Sequence, residues 1–229
     1  MAALNTTQTV ELTATQVSKL TVTQIANVET SDLEKLTAAQ IQALTTAQIA
    51  ALTTTQVDVL TTTQIGALTT AQVAKIETTA LVMLDATQIH ALTSTQLKVL
   101  TSDQLQALTT AQIQDLTSTQ IKELTSSQIA KLTEALVEKI ETTDLKDLTT
   151  DQVVALTTTQ IQALTTDQAV ALTTTQVQAL TTAQVANLET TDLAKLVDTQ
   201  IQALTTAQIK VLTTDQREAL TTTQMVELS

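Results

Sequence analysis

The side chains in this sequence that could do chemistry are few, and their spacing is regular. Acidic residues stand three apart in Glu141 with Asp144 and in Glu189 with Asp192. Carboxylates at that spacing could gather on one face, and calcium favours oxygen ligands. No Asp-x-Asp-x-Asp-Gly loop occurs, so each Asp is read instead as a helix-capping partner. The single histidine, His90, sits between Ile89 and Ala91 without a neighbouring nucleophile, which suits a solvated surface residue better than a general base. Cysteine is absent, which removes a thiolate nucleophile, a disulfide framework and any Cys-ligated zinc or iron-sulfur site. The Gly-rich phosphate loop, the Gly-x-Ser-x-Gly elbow and the His-Glu-x-x-His pair are missing too. The sequence therefore nominates no catalytic, cofactor-binding or metal-ligating residue, and a non-enzymatic protein is expected.

Composition narrows the partners. Lys and Arg number 11 against 23 Asp and Glu, a net charge of −12 with a pI near 4.3, which argues against nucleic acid. Phe, Trp and Tyr are all absent, so there is no platform on which bases could stack. With 43% apolar residues and a mean hydropathy of +0.16, the chain is too apolar for an ordinary disordered tail. No apolar run of the roughly eighteen residues that would cross a membrane is present, so no membrane insertion is expected. Met1 to Leu20 is Thr-rich and lacks the basic start and apolar segment of a signal peptide.

Behind these residues lies a repeat of eight that never slips. Every eighth residue from Leu4 to Leu228 is aliphatic, 29 positions of which 26 are Leu and three are Val28, Ile76 and Ile140. The array of 28 units from residue 4 to residue 227 occupies the chain 1–229 as one domain. Its consensus is Leu-Thr-Thr-x-Gln-Ile/Val-x-Ala, as in Leu44 to Ala51 and Leu156 to Ala163. Gln keeps its place in 23 of the 28 units, failing at Asp32, Ala80, Leu136, Asp144 and Asp192. The aliphatic site after Gln fails only at Thr9, Ala169 and Arg217.

The octad selects a backbone. In one continuous helix eight residues turn through about 800°, so equivalent leucines would drift by roughly 80° per unit and no apolar face could persist. In a strand, parity places Leu and Ile on opposite faces, each shared with Thr and Gln. A short helix restarted in every unit fits best. Thr45 with Gln48 is a capping box, and Leu44 with Ile49 is the matching hydrophobic staple. So short a helix is unstable alone and must be stabilised by stacking on its neighbours. The expected fold is an all-α solenoid of short capped helices, one per octad, with a β-solenoid as the alternative. Since Pro is absent and Gly66 is the only glycine, the turns must stay on the right-handed side of the Ramachandran map and carry 3₁₀ character.

Departures from the consensus are ordered. Glu replaces the cap Thr at Glu29, Glu77, Glu141 and Glu189, with spacings of 48, 64 and 48 residues. Positions 29 and 141, and 77 and 189, are each 112 residues apart, which is fourteen units and suggests an internal tandem duplication. Glu caps poorly, so these units are expected to fuse two short helices or move the cap to the next Thr. Asp85 and Val197, in the units that follow, should disturb the cap, and Met83 and Met225 should fill gaps in the core. Arg217 should be tolerated by fraying or by snorkelling.

At the octad level the chain resembles the Leu-Thr-Thr-x-Gln-Ile tracts of very large secreted or surface-displayed bacterial proteins. That resemblance implies a spacer or scaffold arm at the cell surface. The stretch Leu148-Thr149-Thr150-Asp151-Gln152-Val153-Val154-Ala155-Leu156 also resembles the opening helix of TAL-effector repeats. The glycines, base-reading loop and basic surface of those repeats are missing, so DNA binding is not carried over. Triplets such as Thr53-Thr54-Thr55 and Thr157-Thr158-Thr159 have the Thr-x-Thr spacing of ice-binding β-solenoids, although Ala47, Ser127, Asp151 and Asp167 break the series. A second class of function is a peptide- or glycan-binding face at the variable position, which carries Gln42, Asp58, His90, Lys98, Gln106, Gln114, Lys122 and Gln162. Without atypical terminal units, end-to-end stacking into fibres is a hazard or a function.

Overall fold

The computed structural model describes residue 8 and residues 11–228, and it is helical throughout. Among the described residues there are 27 helices of four to six residues and no strand, which removes the β-solenoid alternative.

Each octad builds its helix by the same local route. Thr45 is an extended N-cap at φ −71° and ψ 159° whose hydroxyl accepts from the Gln48 N–H, while Gln48 Oε1 accepts from the Thr45 N–H at 2.6 Å. This capping box recurs in every described helix except those that follow Glu29, Glu77, Thr133, Glu141, Glu189 and Val197. The helix ends when the next Leu turns extended, as Leu44 does at φ −59° and ψ 136°. Its N–H bonds three residues back to the Ile41 carbonyl at 3.1 Å, a 3₁₀ closure, and an extended Thr follows. No described residue has positive φ, so two consecutive extended residues reverse the chain without glycine or proline. Gly66 is not needed for the turn: it lies within the helix Thr62–Ala67, and a Cβ there would stand 3.5 Å from the Ala91 carbonyl oxygen, an ordinary contact.

The chain divides into two compact units, Met1–Leu116 and Thr117–Ser229. In the first, each helix packs on the one three octads ahead: Ala14–Lys19 on Ala38–Ala43, that helix on Thr62–Ala67, and so on to Ala86–Ala91 and Thr110–Asp115. The second repeats the scheme from Thr142–Asp147 through Thr166–Ala171 and Thr190–Lys195 to Thr214–Ala219. Both units bury the staple pair of their octads, Leu44 with Ile49 in one and Leu156 with Ile161 in the other. Stacking thus takes from water the aliphatic face that a helix of five residues cannot bury alone.

Two expectations about side chains fail. Met83 is 46% exposed and Met225 45% exposed, so neither fills the core. Met83 stands at the eighth position of its octad, which is otherwise half-buried Ala at Ala43 and Ala67, and so it projects outward. The units marked by Glu neither fuse helices nor move the cap. Helices still begin at Thr30, Thr78, Thr142 and Thr190, directly after an extended Glu that makes no side-chain cap bond.

Candidate functional site

The most regular array of polar side chains is the row of glutamines, and from Gln40 onward it is buried. Gln64 shows the pattern. Its Oε1 accepts from the Thr61 N–H at 2.8 Å, and its Nε2 donates to the carbonyls of Leu33 at 2.9 Å and Leu36 at 2.7 Å. The first bond caps its own helix, while the second pair reaches 31 and 28 residues back to the end of the helix Thr30–Leu33, four octads earlier. In the first unit the pattern runs through Gln48, Gln56, Gln72, Gln96, Gln104 and Gln112. In the second it runs through Gln152, Gln160, Gln168, Gln176, Gln184, Gln200, Gln208, Gln216 and Gln224.

One amide therefore does two jobs that a sequence motif assigns to it only once. A helix ends with carbonyls that have no partner within it, and burying them unpaired would cost about 1–3 kcal/mol each. The Gln Nε2 protons meet those carbonyls. Twenty-eight residues are three and a half octads (28/8), and helices pack on those three octads ahead, so within each unit a turn of the solenoid takes between three and four octads.

The acidic pairs do not form a site. In each pair the Glu faces solvent and the Asp points inward: Asp144 is 4% exposed and Asp192 is 3% exposed, whereas Glu141 and Glu189 are exposed. Nor do these aspartates cap. Asp144 Oδ1 accepts from the Ser118 hydroxyl, and Asp192 Oδ1 accepts from Thr166 Oγ1 at 2.7 Å, both 26 residues upstream. The other oxygen of Asp192 is buried without a hydrogen-bond partner. A carboxylate has the acceptor half of glutamine and no donor, so it turns to a hydroxyl and leaves the carbonyls four octads back without their amide. Among the described residues, no three His, Cys, Asp or Glu side chains come together in a way that could hold a metal ion, and no helix is long and apolar enough to cross a membrane.

Other predicted positions resolve individually. Asp85 does not disturb its cap; it makes a full capping box, with Oδ1 accepting from the Gln88 N–H at 2.8 Å and from Thr87 Oγ1 at 2.7 Å. These bonds, that of Thr87 foremost, hold its carboxyl below the ordinary value. Val197 lacks the hydroxyl but keeps the other half, its N–H donating to Gln200 Oε1 at 2.9 Å. The eight residues of the variable position, Gln42 to Gln162, are all exposed. Residues of this face bond within the chain: His90 Nε2 meets the Asp115 carbonyl and Gln162 Nε2 meets Asn187 Oδ1 at 3.3 Å, each 25 residues on. The Thr triplets form no flat ladder: Thr53 and Thr157 bond through Oγ1 to Thr55 and Thr159 inside the same first turn, at 3.1 and 3.0 Å.

The ALTTAQ repeat family profile matches residues 25–62, 73–110, 105–134, 137–174 and 193–229, three quarters of the chain. The chain belongs to the ALTTAQ repeat family. Ala43-Leu44-Thr45-Thr46-Ala47-Gln48 reads as the family motif letter for letter. In the structure the ALTTAQ motif runs from the end of one helix, through the extended Leu and cap Thr, to the buried Gln of the next. No curated protein matches the chain.

Proposed function

We propose that this ALTTAQ array is a non-enzymatic structural element, a spacer or scaffold arm of a larger secreted or surface protein. The observation that carries this reading is the double use of glutamine. The cap Thr and the Gln of the octad are consumed in caps and in bonds across a turn, as in Thr61 and Gln64. The recurrence of these two side chains is thereby accounted for by the way the solenoid is built, without reference to a ligand. Stability in such an array comes from nearest neighbours, so its length can be set by the number of units.

A spacer must lengthen in step with its sequence. Inserting one or two further segments of seven whole octads in register should increase the maximum dimension in small-angle scattering by equal steps at constant cross-section, with helical circular dichroism per residue unchanged. A cross-section that grows with each insertion would contradict the spacer role.

A further inference from the structure

We infer that Arg217 closes the stacking face of the solenoid from within, taking the place of the glutamine that closes it elsewhere. Across the array, Gln Nε2 addresses one fixed set of acceptors: the carbonyls of the sixth and seventh residues of an octad and of the Leu that follows. Gln64 takes Leu33, Glu34 and Leu36; Gln176 takes Leu145, Lys146 and Leu148; Gln208 takes Val177, Gln178 and Leu180. In the octad that begins at Leu204, the corresponding carbonyls are those of Ile209, Lys210 and Leu212. Arg217 takes all three, with Nη2 donating to Ile209 at 2.8 Å and Lys210 at 3.4 Å, and Nε donating to Leu212 at 3.1 Å.

The substitution is chemically apt. Arg217 stands at the aliphatic site of its octad, which is buried at Val177, Val185, Leu193 and Ile201, yet Arg217 itself is exposed and its side chain folds back over the end of the helix Thr206–Lys210. A guanidinium offers five donors in a planar fork and a full positive charge, and both suit the carbonyls at a helix C-terminus. Elsewhere this closure needs an octad from the next turn, whereas here it comes from the next octad in sequence, seven or eight residues away. An ALTTAQ octad arriving four units on, from the same chain or from a second copy, would find its acceptors occupied and a cation in place of the aliphatic residue. Arg217 therefore makes this part of the array a surface that refuses its own kind.

The test is a graft. Four consensus octads, Leu-Thr-Thr-Ala-Gln-Ile-Gln-Ala, are joined in register after Glu227 of the otherwise complete chain, with Arg217 retained and with Arg217→Ile. The graft should raise the urea midpoint of R217I by more than that of the Arg217 chain, because the second grafted octad finds the carbonyls of Ile209 and Leu212 free only in R217I. An equal rise in both would overturn the inference. Should R217I fail to fold, judged by loss of helical circular dichroism, Arg217→Lys keeps the charge without the fork. R217K should also accept the graft; if it blocks the graft as fully as Arg217 does, the fork is not the device and the inference fails.

Discussion

Single side chains in this protein are legible when their bonds are local. The Thr45 and Gln48 cap and the Leu44 and Ile49 staple both follow from neighbours within a few residues. Asp192 is illegible because its partner, Thr166, lies one turn earlier, and Arg217 because its acceptors are backbone carbonyls of the preceding octad, which no side-chain pattern announces. Asp85 shows how a residue that breaks the consensus can keep its function. Its carboxylate replaces the Thr hydroxyl as the acceptor, and bonds from Thr87 and Gln88 lower its folded pKa. Since the folded value lies below the unfolded one, the stabilisation is complete above the unfolded pKa, near 3.9, and is lost as pH falls through the folded value. Asp85→Thr, which restores the consensus cap, should remove that component. Between pH 5 and pH 2.5 the urea midpoint of the parent should fall further than that of D85T, and parallel curves would show that the Asp85 bonds do not matter.

At the scale of the helix, both uses of glutamine lapse together in the octads marked by Glu and in the octad of Leu136. After Glu77 the helix Thr78–Leu81 has neither a side-chain cap nor an amide at position 80, where Ala80 is buried. The cap loss could be foreseen from Glu; the missing bond across the turn could not, because its acceptors lie 28 and 31 residues away in the pattern of the neighbouring octads. Restoring the consensus tests both. Glu77→Thr should add about 1 kcal/mol through the cap, and combining it with Ala80→Gln should add about 1–2 kcal/mol more as the new amide meets the carbonyls of Ile49 and Leu52. Urea unfolding measures the sum, and hydrogen exchange should slow most in the helix Thr78–Leu81. An A80Q variant no more stable than its parent would mean that the amide finds no carbonyls there.

For the chain as a whole, the helical class and the octad register were open to reading because a period of eight excludes a continuous helix and supplies a cap in every unit. The winding was not, since three and a half octads per turn emerges only when Gln Nε2, Leu carbonyl and aliphatic stagger are satisfied at once. The double role of glutamine rests on that winding, and the absence of native cysteine makes it directly measurable. Thr166 and Asp192 touch across a turn through short side chains, 26 residues apart. The paired substitution Thr166→Cys with Asp192→Cys should oxidise rapidly to a disulfide under mild conditions, while a control pairing Thr166→Cys with Gln184→Cys, nearer in sequence, should remain largely reduced. If the nearer pair crosslinks as fast or faster, the chain is not wound at three to four octads per turn, and the glutamine bonds described here do not exist.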